Sequence, residues 1–293
     1  MQTSGRLERT LAAAIDSHVA KESPPRLVAA IQHAVFPGGA RVRPRLCMAV
    51  AKACDGDDPE LVGACAAAIE LLHCASLVHD DLPCFDDAEL RRGHPSVHRA
   101  FGERLAVLAG DALIVLAFQT LARSAGRSPQ RLAPLLAIIA AGAGLPAGMA
   151  AGQAWECEPQ VALRDYHRAK TGALFAAATQ AGALACGVEP APWKALGERL
   201  GEAYQVADDI RDACGSAQWL GKPVHRDAAL GRPTAAAELG LAAALPLFDR
   251  LMADAQHCVP HGRGAAGLLE LIRSEAQRLI PRALVDELLL SEA

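Results

Sequence analysis

Four carboxylates fall within eight residues at the end of an apolar run, His73-Cys-Ala-Ser-Leu-Val-His-Asp80-Asp81-Leu-Pro-Cys-Phe-Asp86-Asp87. Helical spacing puts His73, Leu77, Asp80 and Asp81 near one face, and Pro83 then breaks the helix so that Asp86 can curl back toward the first pair. A second stretch reads Tyr204-Gln205-Val-Ala-Asp208-Asp209-Ile-Arg-Asp212. Here Asp208 and Asp212 are i and i+4, with Gln205 one turn earlier on the same side. One acidic cluster near a helix end is ordinarily a solvated terminus. Two of them, each set in an Ala/Val/Leu helix that ought to be buried, need cations, because unpaired buried carboxylates are costly. Carboxylates without His or Cys partners suit hard cations, Mg²⁺ in particular, which keeps coordination positions for water and phosphate oxygens. The regular one-in-two ligand spacing and central Gly of an EF-hand are absent from both stretches.

Basic residues accompany the carboxylates. Gly38-Gly39-Ala40-Arg41-Val42-Arg43-Pro44 is a flexible turn followed by two guanidinium groups. Arg91-Arg92-Gly93 follows the first acidic cluster, Lys170-Thr171-Gly172 interrupts a helix, and Lys222 and Arg232 trail the second cluster. Any one of these is ordinary surface charge, but Arg forks match phosphate oxygens. Together the two signs of charge point to metal-bridged diphosphate binding.

The elements that must position these groups are helical. The chain has 293 residues, of which 52% are apolar, 21% charged and only 4% aromatic. Its abundant Ala favours helix, while sparse aromatic and β-branched residues disfavour sheet. Helices are expected at about Glu8–Ala20, Arg26–Ala34, Arg43–Cys54, Pro59–His79, Leu105–Ala125, Gln130–Ala141, Ala162–Cys186, Trp193–Ala213, Ala235–Cys258 and Ala265–Ile280. No strand pattern competes. Several helices are apolar around most of their circumference, so they sit inside a multi-layer bundle or against a partner subunit. Nothing marks a domain boundary, and residues 1–293 read as a single all-α domain. The 29 basic and 33 acidic residues give a net charge of −4, which excludes a bulk electrostatic grip on nucleic acid. Nine scattered cysteines without a C-x-x-C pair read as small buried hydrophobes in a reducing compartment. The polar Met1–Thr10 segment lacks the core of a signal peptide, which places the protein in the cytoplasm. The stretch from Leu132 to Gly152 carries no charge. Its breakers, among them Pro134, Gly144 and Pro146, make it two core helices, not a membrane span.

These motifs, in this order, resemble the trans-isoprenyl diphosphate synthases along nearly the whole chain, and among them bacterial geranylgeranyl diphosphate synthases of carotenoid and photosynthetic pathways. The resemblance rests on Gly38–Pro44, His73, Asp80–Asp86, Arg91-Arg92-Gly93, Gly152-Gln153, Lys170-Thr171-Gly172 and Asp208–Asp212. It implies that Asp80, Asp86, Asp208, Asp209 and Asp212 hold three Mg²⁺ ions around an allylic diphosphate. Arg91, Lys170, Thr171, Gln205, Lys222 and Arg232 would bind that substrate. Asp80, Asp81, Asp86, Arg91, Lys170 and Asp208 would form the catalytic set. Arg43, His73 and Arg92 would bind isopentenyl diphosphate, and a homodimer is implied. The product tail would run down a tunnel lined by Leu72, Ala75 and Ser76, closed further on by Leu72, Ile69 or side chains from Leu113–Phe118. Ala75 and Ser76 are small where relatives that stop at fifteen carbons commonly carry an aromatic, so a twenty-carbon product is expected over farnesyl diphosphate. Ala40 stands where the family usually has Lys, which predicts weaker isopentenyl diphosphate binding unless Arg41 or another group substitutes. A class I terpene cyclase would usually carry Asn and Ser in the second metal motif, and a non-catalytic regulatory subunit would not need two intact carboxylate clusters. Trp155 and Glu156, just after Gln153, are expected near the cavity without an assigned role, and His33, His79, His94, His98 and His167 read as packing or surface histidines.

Overall fold

The computed structural model describes residues 2–36, 38–56, 58–124, 126, 128–160, 162–213, 234, 239–262 and 264–281. The helices are α1 (Gln2–Asp16), α2 (Pro25–Val35), α3 (Val42–Ala53), α4 (Pro59–Asp80), α5 (Val97–Phe101), α6 (Glu103–Ser124), α7 (Pro129–Ala143), α8 (Met149–Ala154), α9 (Leu163–His167), α10 (Ala173–Ala185), α11 (Lys194–Ala213), α12 (Leu241–His257) and α13 (Ala265–Leu279). The all-α expectation holds, with one small addition. A two-residue ribbon pairs Leu90–Arg91 (β1) with His94–Pro95 (β2), too short for any alternating pattern to announce.

Helix α4 is the axis of the bundle. The Asp58 carboxylate caps it by accepting the Leu61 N–H at 3.0 Å, and Pro59 at its first position needs no backbone donor. It is apolar on every side and packs against α1, α2, α3, α6 and α10. One apolar cluster surrounds α4 and α6, and a second surrounds α11, α12 and α13. Helices α3 and α10 contribute to both. The α4 and α6 helices are each long and apolar enough to cross a membrane, but α4 is the core helix of this bundle.

The charge-free stretch forms α7 and α8, broken between Ala143 and Met149 as expected. The single helix expected over Ala162–Cys186 is α9 and α10 joined through a wide π turn at Arg168–Gly172, so Lys170-Thr171-Gly172 does interrupt it. Cys84 and Cys157 are exposed, which corrects the reading of all nine cysteines as buried. Cys214 lies outside the described residues.

Candidate active site

A cavity of about 910 Å³ opens where the C-terminal ends of α4 and α11 approach each other. Its polar lining comes from two segments, Asp80, Asp86 and Arg91 from the end of α4 and the turn beyond it, and Lys170, Thr171, Gln205, Asp208 and Asp209 from the π turn and α11. Its lining also carries an apolar set, Leu72, Ala75, Ile114, Phe118 and Met149, with the small Ser76 among them.

The α4 wall follows from its local sequence. Beyond Asp80 the chain folds back tightly, so the Asp86 N–H donates to the Asp80 carbonyl at 2.9 Å and the Ala88 N–H to the Asp81 carbonyl at 3.1 Å. This is the predicted return of Asp86. Asp81 departs from expectation: it does not face the cavity with Asp80. It is buried on the far side, where the Arg91 guanidinium clasps it, with Nε donating to Oδ1 at 2.9 Å. Asp81 therefore holds Arg91, which itself reaches the cavity wall. The β1–β2 ribbon sets Arg91 and Arg92 side by side, Arg92 in the left-handed region at φ 54°.

On the α11 wall, the Thr171 hydroxyl donates to the Gln205 side-chain carbonyl at 2.7 Å, and the Gln205 amide donates to Asp209 at 3.0 Å. His167 Nε2 lies 3.3 Å from the other Asp209 oxygen, and Arg211 pairs with Asp208 at 2.9 Å. Asp212 is buried and contributes to neither cavity wall. Lys170 pairs with Glu156, which also accepts the Tyr166 hydroxyl at 2.6 Å and the Gln153 amide at 3.1 Å. Glu156 and Tyr166 are the site residues sequence reasoning left without a role. The i, i+4 spacing of Tyr166 and Lys170 was the available signal. The π turn bearing Lys170 lies against α8 at Gly152. A Cβ there would meet the Ala169 carbonyl carbon at 2.7 Å and the Lys170 backbone closer still.

A second cavity of about 250 Å³ adjoins the first and shares Arg43, His73, Thr171, Gln205 and Asp208 with it. Arg43 lies over the Phe175 ring at 4.6 Å, and Arg92 lies 3.8 Å from Glu70. Arg43 Nε and Arg92 Nη1 are buried and have no hydrogen-bond partner among the described residues. Two guanidinium groups on the wall of one small cavity suit an anion. Arg41 does not replace the missing Lys. It turns inward to Glu8 at 2.9 Å, Glu70 at 2.7 Å and the Val35 carbonyl at 2.6 Å.

Burial pushes the Asp80 carboxyl up to about 6, with Lys170 opposing the rise and Asp86 and Glu156 adding to it. Burial also drives His73 well below its ordinary value, helped by Arg43, Arg92 and Arg91, so the imidazole is neutral. Among the described residues no three His, Cys, Asp or Glu side chains form a ready-made metal centre. The donors lining the cavity are carboxylates from two segments, fitting a hard cation that completes its shell with phosphate oxygens. Lys222 and Arg232, expected at the allylic site, lie outside the described residues.

The family profile described as polyprenyl synthetase matches residues 24–254, most of the chain and both walls of the cavity. The chain belongs to the polyprenyl synthetase family. It is 52% identical over 276 residues to a geranylgeranyl diphosphate synthase of Cereibacter sphaeroides, covering 94% of this chain and 96% of that one. A geranylgeranyl diphosphate synthase of Rhodobacter capsulatus is 46% identical over 280 residues, covering 96% and 97%. Among solved structures, a geranyltransferase from Helicobacter pylori complexed with magnesium and isoprenyl diphosphate superposes with a TM-score of 0.81. It is 31% identical, covering 93% of this chain and 95% of that one. This polyprenyl synthetase thus shares an all-helical fold with enzymes that handle isoprenyl diphosphates.

Proposed function

We propose that this polyprenyl synthetase condenses isopentenyl diphosphate head to tail with an allylic diphosphate and releases geranylgeranyl diphosphate. The observation that carries the reading is a large cavity lined by both facing carboxylate segments with Arg91 and Lys170 and by an apolar set, beside a small cavity lined by Arg43 and Arg92. Its volume of about 910 Å³ lies within the range of about 300–1,000 Å³ usual for ligand cavities.

The allylic diphosphate sits among the charged groups with its hydrocarbon chain against the apolar set. Asp80, Asp86, Asp208 and Asp209 are the residues that would hold Mg²⁺, with Asp212 behind them. Bound Mg²⁺ supplies neutralisation of the negative charge developing on the departing pyrophosphate. Lys170 and Arg91 donate to the same oxygens, Lys170 being braced by Glu156 and Arg91 by Asp81. Thr171 and Gln205, already hydrogen-bonded to each other, contact the allylic substrate. Stabilising that charge lets the carbon–oxygen bond ionise to an allylic cation. Arg43 and Arg92, both on the wall of the small cavity, grip isopentenyl diphosphate, with neutral His73 beside them. The double bond of isopentenyl diphosphate attacks the cation, and the new carbocation loses a proton to a pyrophosphate oxygen. The apolar walls keep water from capturing either cation.

Ala75 and Ser76 leave the cavity wall without a bulky side chain at their positions, and Ile114 and Phe118 from α6 line the same cavity; Ile69 is fully buried and does not line it. This arrangement supports twenty carbons over fifteen. A homodimer through α6 accounts for its exposed Val107, Leu108 and Val115. The two apolar clusters joined by α3 and α10 support reading the chain as one domain.

The test is product analysis. The purified chain is incubated with Mg²⁺, isopentenyl diphosphate and dimethylallyl, geranyl or farnesyl diphosphate, and the dephosphorylated alcohols are separated by length. Geranylgeraniol is expected, and a chelator abolishes it. Farnesol alone would refute the chain length; no condensation would refute the reaction and favour a cyclase or a regulatory subunit.

A further inference from the structure

The small cavity has both Ala40 and Arg278 on its wall, with Arg43, His73 and Arg92. We propose that Arg278, from α13, supplies the isopentenyl diphosphate pocket with the positive charge that Ala40 lacks. The inference rests on the prenyltransferase reading of that pocket.

A chain of contacts holds Arg278 beside the 38–44 turn. Arg45 Nη1 donates to the Ala40 carbonyl at 3.5 Å and to Glu275 Oε1 at 2.9 Å. The other Glu275 oxygen accepts Arg278 at 2.8 Å and the Tyr204 hydroxyl at 2.6 Å, and Arg278 donates to the Tyr204 oxygen at 2.6 Å. One buried carboxylate is thus shared by two guanidinium groups, so the trio keeps one net positive charge. The Glu275 side chain is 6% exposed and that of Arg278 is 41% exposed. The carboxylate is enclosed, and the partly exposed guanidinium belongs to the pocket wall.

Among the described residues on the pocket wall, the cations other than Arg43, Arg92 and Arg278 are held elsewhere. Arg41 is enclosed by Glu8, Glu70 and the Val35 carbonyl. Arg211, also on the pocket wall, is tied to the Asp208 carboxylate and the Ala207 carbonyl. Arg278 shares its carboxylate with Arg45, so an anion entering the pocket can recruit its fork without leaving Glu275 unpaired.

The experiment measures KM separately for isopentenyl and farnesyl diphosphates. Arg278→Ala is expected to raise KM for isopentenyl diphosphate about tenfold, the scale of one lost charge-assisted contact, with KM for farnesyl diphosphate within about twofold. Adding Ala40→Lys to that variant restores the lost affinity, because the second cation then comes from the turn. Arg278→Lys retains most of the affinity and serves if Arg278→Ala does not fold. An unchanged KM for isopentenyl diphosphate in folded Arg278→Ala overturns the proposal. So does an equal rise for both substrates, or a rise that Ala40→Lys leaves uncorrected, since either marks a structural role. A wild-type chain that condenses nothing overturns the prenyltransferase reading itself, and the proposal with it.

Discussion

Gly152 is where one methyl group should do the most harm at a distance from the chemistry. Helix α8 approaches the π turn so closely that a Cβ at position 152 would lie 2.7 Å from the Ala169 carbonyl carbon and nearer still to the Lys170 amide nitrogen. Ordinary contact begins at 3.4 Å, so the two backbones must part by at least about 0.7 Å in Gly152→Ala. Neither neighbour is a flexible side-chain end, so the strain falls on the turn that carries Lys170 and Thr171. Overpacking of this kind costs about 1–3 kcal/mol. In a chain of this length that lowers Tm by about 2–12 °C. The displacement moves Lys170 relative to the allylic diphosphate, and misplacement near 1 Å costs about a hundredfold in rate. The assay is steady-state condensation of farnesyl and isopentenyl diphosphates, with circular dichroism and thermal melts on the same preparations. We expect a folded protein whose kcat/KM for farnesyl diphosphate falls about a hundredfold, with KM for isopentenyl diphosphate little changed. A folded Gly152→Ala enzyme with wild-type kcat/KM would refute the argument that the α8 contact positions Lys170.

Ala75→Phe places a ring in the wall of the large cavity, so the product should shorten from geranylgeranyl to farnesyl diphosphate while primer consumption persists, as chromatography of the alcohols would read out. Unchanged geranylgeraniol from a folded variant would place the chain's path elsewhere. His73 gives a pH dependence of stability. Its folded value is depressed by burial and the surrounding guanidinium groups, whereas the unfolded chain takes up the proton near about 6.5. Below that pH the unfolded state binds more protons, so the contribution of His73 is complete above about 6.5 and is lost as pH falls. Urea midpoints between pH 7.5 and 5 should decline more steeply for wild type than for His73→Gln; parallel declines would contradict it.

Much of the site was legible because it depends on local rules. Apolar periodicity and Ala content specify helices, Pro83 ends α4, and the backbone must then return, which brings Asp86 to Asp80. The i, i+4 geometry and the Lys170-Thr171-Gly172 interruption were visible for the same reason. What only the tertiary structure decided were choices between near neighbours. Asp80 and Asp81 are adjacent, but side chains one residue apart on a helix point about 100° apart. Arg91 from the β1–β2 ribbon takes Asp81, leaving Asp80 to the cavity. Arg41 and Arg43 divide in the same way: α1 and α4 bring Glu8 and Glu70 to Arg41, while Phe175 of α10 lies beneath Arg43 and leaves its Nε free. Arg278 comes to the turn at Ala40 because α13 packs against α3, where Arg45 binds Glu275. Sequence spacing fixes which face of its own helix a residue occupies, but the opposite charge that claims it comes from a distant segment, and only packing brings that segment near.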